Sequence, residues 1–148
     1  MNAQRGATGL TVGELMTYDP ILVRDDEPLH HAAMLLEQHR IHGLPVVDEA
    51  GALVGVVSQT DMVRARTTEQ LWAGWRGLKV RHLMSSPALT VAADATVADA
   101  AQRMEANHVH RLVVVGPDGA SPVGILSTSD IVRAMVSEVG PAVEEVGR

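Results

Sequence analysis

The sequence predicts a mixed α/β (α+β) chain made of two β-α-β-β-α repeats, and three observations lead there. The first is duplication: Val12–Ala65 and Val80–Ala134 agree at 21 of 54 positions at an offset of 68 residues, with Pro122 as one extra residue in the second copy. The second is an amphipathic helical pattern early in each copy, with Leu29, Ala32, Ala33 and Leu36 answered by Val97, Ala100, Ala101 and Met104. The third is a pair of short apolar runs around a Gly/Asp/Pro turn, the pattern of a hairpin, in each copy. Two similar units packed about a pseudo-two-fold axis create a cleft, a favoured place for a small-molecule pocket.

The elements follow in order. Residues 1–10 are small and polar and are expected to be a flexible N-terminus. The first repeat is assigned to residues 11–66, a connector to 67–78, the second repeat to 79–139 and a flexible tail to 140–148. Each repeat opens with a short helical turn, VGELM or VRHLM, followed by a short strand near Ile21–Val23 or Leu89–Val91. Pro28 and Thr96 suit the start of the amphipathic helix. Leu44–Val47 and Val54–Val57 then flank DEAGA, and Leu112–Val115 and Val123–Leu126 flank GPDGASP. These runs are continuous rather than alternating, so both faces of the strands should be covered. A closing helix begins at SQTD or STSD, where Ser, Thr and Asp are good caps. Glu69–Trp75 is read as an extension of that helix ended by Gly77, and Gly140-Pro141 as the break of the last one. Trp72 and Trp75 either pack the connector against its own core or form a dimerisation surface.

Composition limits the function classes. Apolar residues make up 46% of the chain with no Phe and one Tyr, so the core must be aliphatic. A net charge of −6 argues against a general nucleic-acid binder. The absence of Cys excludes disulfides, Cys-type zinc sites and thiol catalysis. No stretch has the length of a membrane span, and the N-terminus lacks an apolar signal core, so a cytoplasmic protein is expected. Each repeat alone would be marginal in size, so the two are expected to form one cooperative pair.

Two motifs carry chemistry. Ser-x-x-Asp recurs at Ser58–Asp61 and Ser127–Asp130, either as plain helix capping or as a ligand site in which hydroxyls and helix N-terminal N–H groups receive an anion. His42-Gly43 and His110-Arg111 precede the central strands. Arg111 by itself reads as an exposed strand-edge charge. Arg64 and Arg133, three residues beyond the aspartates, can pair with them as i,i+3 ions or reach phosphate, the ion pair or plain solvent exposure being slightly favoured. The pairs His30-His31, His39 with His42 and His108 with His110 lack a shared third ligand, so no metal site is expected. No nucleophile–base pair, Gly-x-Gly-x-x-Gly or P-loop phrase is present, and no enzyme activity is expected.

The order LMT, amphipathic helix, IHGLPVVD, glycine turn, VGVVSQTD, repeated as LMSS, VHRLVVVGPDG and VGILSTSD, resembles a tandem pair of CBS (cystathionine β-synthase) domains, a Bateman module. The resemblance covers about 110 of 148 residues. It implies two repeats packed sheet to sheet about a pseudo-two-fold axis, and a regulatory ligand of the AMP, ADP or ATP class, with S-adenosylmethionine or NAD as alternatives. It also implies ribose contacts at Asp61 and Asp130, and phosphate contacts at Ser58, Thr60, Ser127, Ser129, His42, His110 and Arg111. The His-Arg pair is expected to reach phosphate held mainly by the other repeat, so the cleft of Asp61 with His110 and Arg111 would be better equipped than that of Asp130 with His42 and Gly43. Leu22, Val23, Thr90 and Val91 are the adenine candidates, with core packing as their rival. A homodimer that regulates an unidentified partner protein, with no catalytic cofactor, follows from the same resemblance. The alternative is a dimeric interaction module with empty clefts.

Overall fold

The structure, a computed structural model, describes residues 9–146, with side chains through Ser137. Residues 1–8 of the expected flexible N-terminus and 147–148 of the tail lie outside the described residues. In chain order the elements are α1 (Val12–Leu15), β1 (Thr17–Tyr18), β2 (Val23–Arg24), α2 (Leu29–His39), β3 (Gly43–Val47), β4 (Leu53–Ser58) and α3 (Gln59–Thr67). There follow α4 (Glu69–Ala73), a 3-10 turn (Trp75–Gly77), α5 (Val80–Leu83), β5 (Thr90–Ala92), α6 (Val97–Asn107), β6 (Arg111–Val115), β7 (Pro122–Ser127) and α7 (Thr128–Val146). The β-α-β-β-α order is therefore present twice, with the first strand of each copy displaced toward its C-terminal side by one or two residues. Pairing decides the displacement: β2 runs parallel to β3 from Val23 opposite Val46, and β5 parallel to β6 from Thr90 opposite Val113.

The chain forms two compact units whose membership crosses the repeat boundaries. One unit comprises residues 19–89 with 120–122, and its sheet has the order β2-β3-β4. Its core of Val23, Leu29, Leu36, Leu44, Val46 and Val57 includes Val80 and Leu83, which belong to the opening turn of the second copy. That turn is held by backbone bonds from Val80 N–H to the Glu27 carbonyl (2.9 Å) and Arg81 N–H to the Asp25 carbonyl (3.0 Å).

The other unit takes the described residues 9–18, 90–119 and 123–146, and its sheet has the order β1-β7-β6-β5. Here the opening turn of the first copy is held, from Val12 N–H to the Ala95 carbonyl and Gly13 N–H to the Ala93 carbonyl, both 2.8 Å. Val12, Leu112, Val113, Val114 and Leu126 are fully buried. The aliphatic core and the covered strands agree with the sequence reading, whereas β1 is an element it lacked. Strand β1 pairs antiparallel with β7, Thr17 opposite Ile125 and Tyr18 opposite Gly124. In the first unit the equivalent contact is a single bridge, Ser85 opposite Val56.

Three expectations are corrected. The helix after Asp61 does not extend through the connector: Thr68 is extended (φ −116°, ψ 143°), and its hydroxyl accepts from Leu71 N–H at 3.2 Å, capping a new helix α4. The tryptophans stay out of the buried core. Trp72 and Trp75 stack on each other at 5.4 Å and 4°, His30 meets Trp75 edge-on at 5.3 Å, and the Arg66 guanidinium lies 4.6 Å over Trp72. Self-stacking covers part of each indole face without a place in the core. Finally, α7 runs through Gly140-Pro141 to Val146. A proline removes one backbone hydrogen bond and can be carried within a helix, which residues such as Ala142 and Glu144 otherwise favour.

Candidate functional site

The closing phrases place the site residues by the same local logic twice. Ser58 ends β4 in extended conformation (φ −138°, ψ 171°) and caps α3, so the residue three places on faces back at it. Asp61 Oδ2 accepts from Ser58 N–H at 2.7 Å and from the Ser58 hydroxyl at 3.1 Å, while Asp61 N–H donates to Ser58 Oγ at 3.4 Å. Asp130 Oδ2 likewise accepts from Ser127 N–H at 2.8 Å and its hydroxyl at 3.1 Å, and Asp130 N–H donates to Ser127 Oγ at 3.3 Å. Both aspartates are buried, at 3% and 7% exposure. A carboxylate is held there because it accepts bonds at the positive end of a helix. The capping reading of the motif is thus realised in full in both copies.

The second oxygen of each aspartate meets an arginine. Arg64 Nη2 donates to Asp61 Oδ1 at 2.8 Å and to the Leu83 carbonyl at 2.7 Å. Arg133 donates from Nη1 and Nη2 to Asp130 Oδ1 at 3.2 and 2.9 Å. Of the fates the spacing left open to these arginines (solvent, phosphate or the aspartate), the i,i+3 ion pair is the one formed.

The histidine phrases join the same helix starts through the main chain. The His42 carbonyl accepts from Gln59 N–H, and the His110 carbonyl from Thr128 N–H, each at 3.0 Å. Gly43 stands opposite Ser58 in the sheet, and β6, which opens with Arg111, neighbours β7. One unit therefore gathers His42, Ser58, Thr60 and Asp61, and the other gathers His110, Arg111, Ser127, Ser129 and Asp130. Thr60 and Ser129 are exposed beside the buried aspartates. Of the adenine candidates, Val23 is part of the core, Leu22 is exposed, and Thr90 and Val91 are half-buried on β5. His110 also lines a cavity of about 570 Å³ with Met104, His108, Thr128, Ile131 and Val132. Among the described residues no group of three or more His, Asp or Glu could hold a metal ion, and no helix is long and apolar enough to cross a membrane.

Sequence reasoning missed one close contact that recurs in both units. A Cβ on Gly55 would lie 2.6 Å from the Ser85 carbonyl oxygen and 2.9 Å from Met84 Sδ, and one on Gly124 would lie 2.5 Å from Met16 Sδ and 2.8 Å from the Thr17 carbonyl oxygen. The signal was the recurrence of Leu-Met and Val-Gly in both copies, at positions where close backbone approach demands glycine.

Two α/β units each present a Ser–Asp box where a strand turns into a helix, the same local design made twice. The chain belongs to the CBS domain family, which matches it at residues 12–67 and 80–137. It is similar to CBSX2 of Arabidopsis thaliana, whose structure in complex with AMP gives a TM-score of 0.71 at 30% identity over 95% of this chain and 100% of that one. It is similar also to the CBS domain pair of protein MJ0100, solved with 5′-methylthioadenosine and S-adenosyl-L-methionine, with a TM-score of 0.74 at 28% identity over 83% of this chain and 93% of that one. Protein MJ1426 of Methanocaldococcus jannaschii is 27% identical over 146 residues, covering 79% of this chain and 86% of that protein. Of longer relatives the chain spans a smaller part: inosine-5′-monophosphate dehydrogenase of Mycobacterium leprae, 33% identical over 80% of this chain, is matched over 21% of its length.

Proposed function

We propose that this chain is a non-catalytic regulatory module that senses an adenine nucleotide of the AMP, ADP or ATP class and acts in the cytoplasm on a separate protein. The observation that carries the reading is the pair of Ser–Asp boxes at two helix N-termini, in a chain 30% identical to a protein solved with AMP. In this reading Asp61 and Asp130 take the ribose hydroxyls. Ser58, Thr60, Ser127, Ser129, His42, His110 and Arg111 serve phosphate, where helix N-terminal N–H groups favour negative charge. Leu22, Thr90 and Val91 lie on the adenine side, whereas Val23, 1% exposed, serves the core instead. Ligand acts by population shift, favouring the arrangement to which it binds more tightly. S-adenosylmethionine is the second reading, favoured by the MJ0100 complex.

A thermal-shift screen with AMP, ADP, ATP, NAD and S-adenosylmethionine tests both. The true ligand stabilises by about 2.7 kcal/mol at a hundredfold excess over its Kd. No shift with any of the five at millimolar concentration refutes the proposal.

Phosphate recognition is expected to be unequal, because the second copy offers Arg111 where the first has Gly43. Arg111→Ala should weaken AMP by about tenfold, the worth of a charge-assisted bond, and leave adenosine nearly unchanged in calorimetric titration. Equal losses for the two would assign Arg111 to folding instead.

The module is also proposed to be a homodimer. Val63 on α3 and Val132 on α7 hold equivalent positions in the two copies and are 63% and 57% exposed, and Met135 and Val136 extend the apolar surface on α7. Sedimentation at micromolar concentration should show a dimer that the double change Val132→Glu/Val136→Glu dissociates. A wild-type monomer at all concentrations would contradict this.

A further inference from the structure

We infer that the connector between the two copies is a docking surface for an acidic, extended segment of another protein, with Arg66 and Arg76 as its carboxylate-binding groups and Trp72 and Trp75 as its apolar seat. The inference rests on the proposed action on a separate protein, names the chemistry of that partner, and does not depend on what the Ser–Asp boxes bind. Residues 68–79, with both tryptophans, lie between the two segments that the CBS family matches, so this surface is additional to the repeats. Trp72 and Trp75 are the only tryptophans of the chain, and they stack outside the core at 5.4 Å and 4°. With Gly74, Arg76 and Gly77 they line an open cavity of about 360 Å³. The platform is fixed in advance. His30 of α2 meets Trp75 edge-on at 5.3 Å, and Leu29 N–H donates to the Leu78 carbonyl at 2.8 Å. A partner therefore meets aromatic faces that need little further ordering. Trp and Arg are also the side chains that most often carry the binding energy of protein interfaces.

The charges on this platform select the partner. The Arg66 guanidinium lies 4.6 Å over the Trp72 ring, and that of Arg76 lies 5.7 Å from the Trp75 ring. Stacking of this kind engages the face of a guanidinium and leaves the N–H groups around its edge free to donate. Among the described residues neither Arg66 nor Arg76 has a hydrogen bond or ion pair, whereas Arg24, Arg64 and Arg133 each meet a carboxylate. Residues 64–82 hold five of the twelve Lys and Arg residues but one of the eighteen acidic ones, Glu69, in a chain of net charge −6. A local positive surface with two oriented, unpaired forks complements a segment rich in carboxylates. A nucleic acid or an anionic bilayer fits less well, because the acidic remainder of the chain would repel a polyanion larger than this patch.

The experiment titrates the full chain with the end-blocked peptide Glu-Glu-Leu-Pro-Glu-Glu, which offers carboxylates on both sides of an apolar pair. The peptide has no tryptophan, so tryptophan fluorescence reports on Trp72 and Trp75 alone. A saturable change in emission is expected, and it should weaken with added salt. Arg66→Gln/Arg76→Gln should lower peptide affinity by about tenfold or more, the worth of a charge-assisted bond, with AMP affinity and urea denaturation unchanged. Arg66→Lys/Arg76→Lys, which keeps the charges without the planar forks, should fall between wild type and the glutamine variant. No response at millimolar peptide, or an equal response to Gln-Gln-Leu-Pro-Gln-Gln, overturns the inference and leaves the nucleotide reading intact. Tighter binding of a thymidine oligonucleotide or of phosphatidylserine vesicles than of the peptide also overturns it, by assigning the surface to another class of partner. So does sedimentation in which the peptide-free wild type self-associates and Arg66→Gln/Arg76→Gln does not, because the occupant is then a second copy. Loss of AMP binding in the glutamine variant would place these arginines in the nucleotide site and end their assignment to a partner.

Discussion

Gly124→Ala is expected to destabilise the protein by about 3 kcal/mol, the upper end of the cost of overpacking a filled interior. The added Cβ would stand 2.8 Å from the Thr17 carbonyl oxygen and 2.5 Å from Met16 Sδ. The methionine can turn aside, but the carbonyl belongs to β1, which is hydrogen-bonded to the very strand that carries Gly124. Relief therefore requires β1 to move away and loosen Val12 in the core behind it. Gly55→Ala should behave alike, since the Ser85 carbonyl oxygen lies 2.6 Å from its Cβ position. Urea denaturation of each variant measures the effect. Changing Met16 to alanine in the Gly124→Ala background should restore only a minor part of the loss, because the backbone contact remains. Unaltered stability in Gly124→Ala would show that the sheet edge yields freely.

Asp61→Ala is expected to produce two losses together. Removal of the carboxylate leaves the Ser58 N–H without its acceptor and strips α3 of its capping box, lowering stability by about 2 kcal/mol. Nucleotide affinity should drop by about 1.5–3 kcal/mol, the range for a hydrogen bond to a charged group. Asp61→Asn separates the two effects: its amide oxygen can still accept from Ser58 N–H, so stability returns for the most part, while the negative charge, and with it the nucleotide affinity, should not. Denaturation paired with titration against AMP reads both. A stability loss in Asp61→Ala with unchanged affinity would assign the residue to capping alone.

The repeated order of elements was legible because it is written in local signals: helical spacing at Leu29–Leu36 and Val97–Met104, glycine turns at Gly51 and Gly119, and caps at Ser58 and Ser127. The Asp–Arg pairing was legible only as one option beside solvent, since three residues along a helix let side chains meet without obliging them to. What escaped was long-range. Nothing in the spacing of Val12 or Val80 shows which copy it packs against, because a four-residue turn with one buried face fits either apolar sheet. The Leu83 carbonyl that steadies Arg64 is a backbone atom, so no residue type announces it. The connector was misread because Thr68 can continue a helix or cap the next one, and only its extended backbone tells which. Tryptophan is commonly an interior residue, and here the pair satisfies part of its surface by stacking in the open.

The crossing of the opening turns has a genetic corollary. Residues 9–18 complete the unit built mainly from the later half of the chain, and residues 78–89 complete the unit built mainly from the earlier half. A coding segment for one copy, cut anywhere in the connector, would specify a unit that lacks Val12 or one that lacks Val80 and Leu83 from its interior, and would leave the matching turn stranded on the other fragment. Such halves could be made whole only by being expressed together. The pair, and not the single copy, is the smallest piece of this sequence that can be duplicated, transplanted or fused to another protein and still arrive with both of its interiors complete.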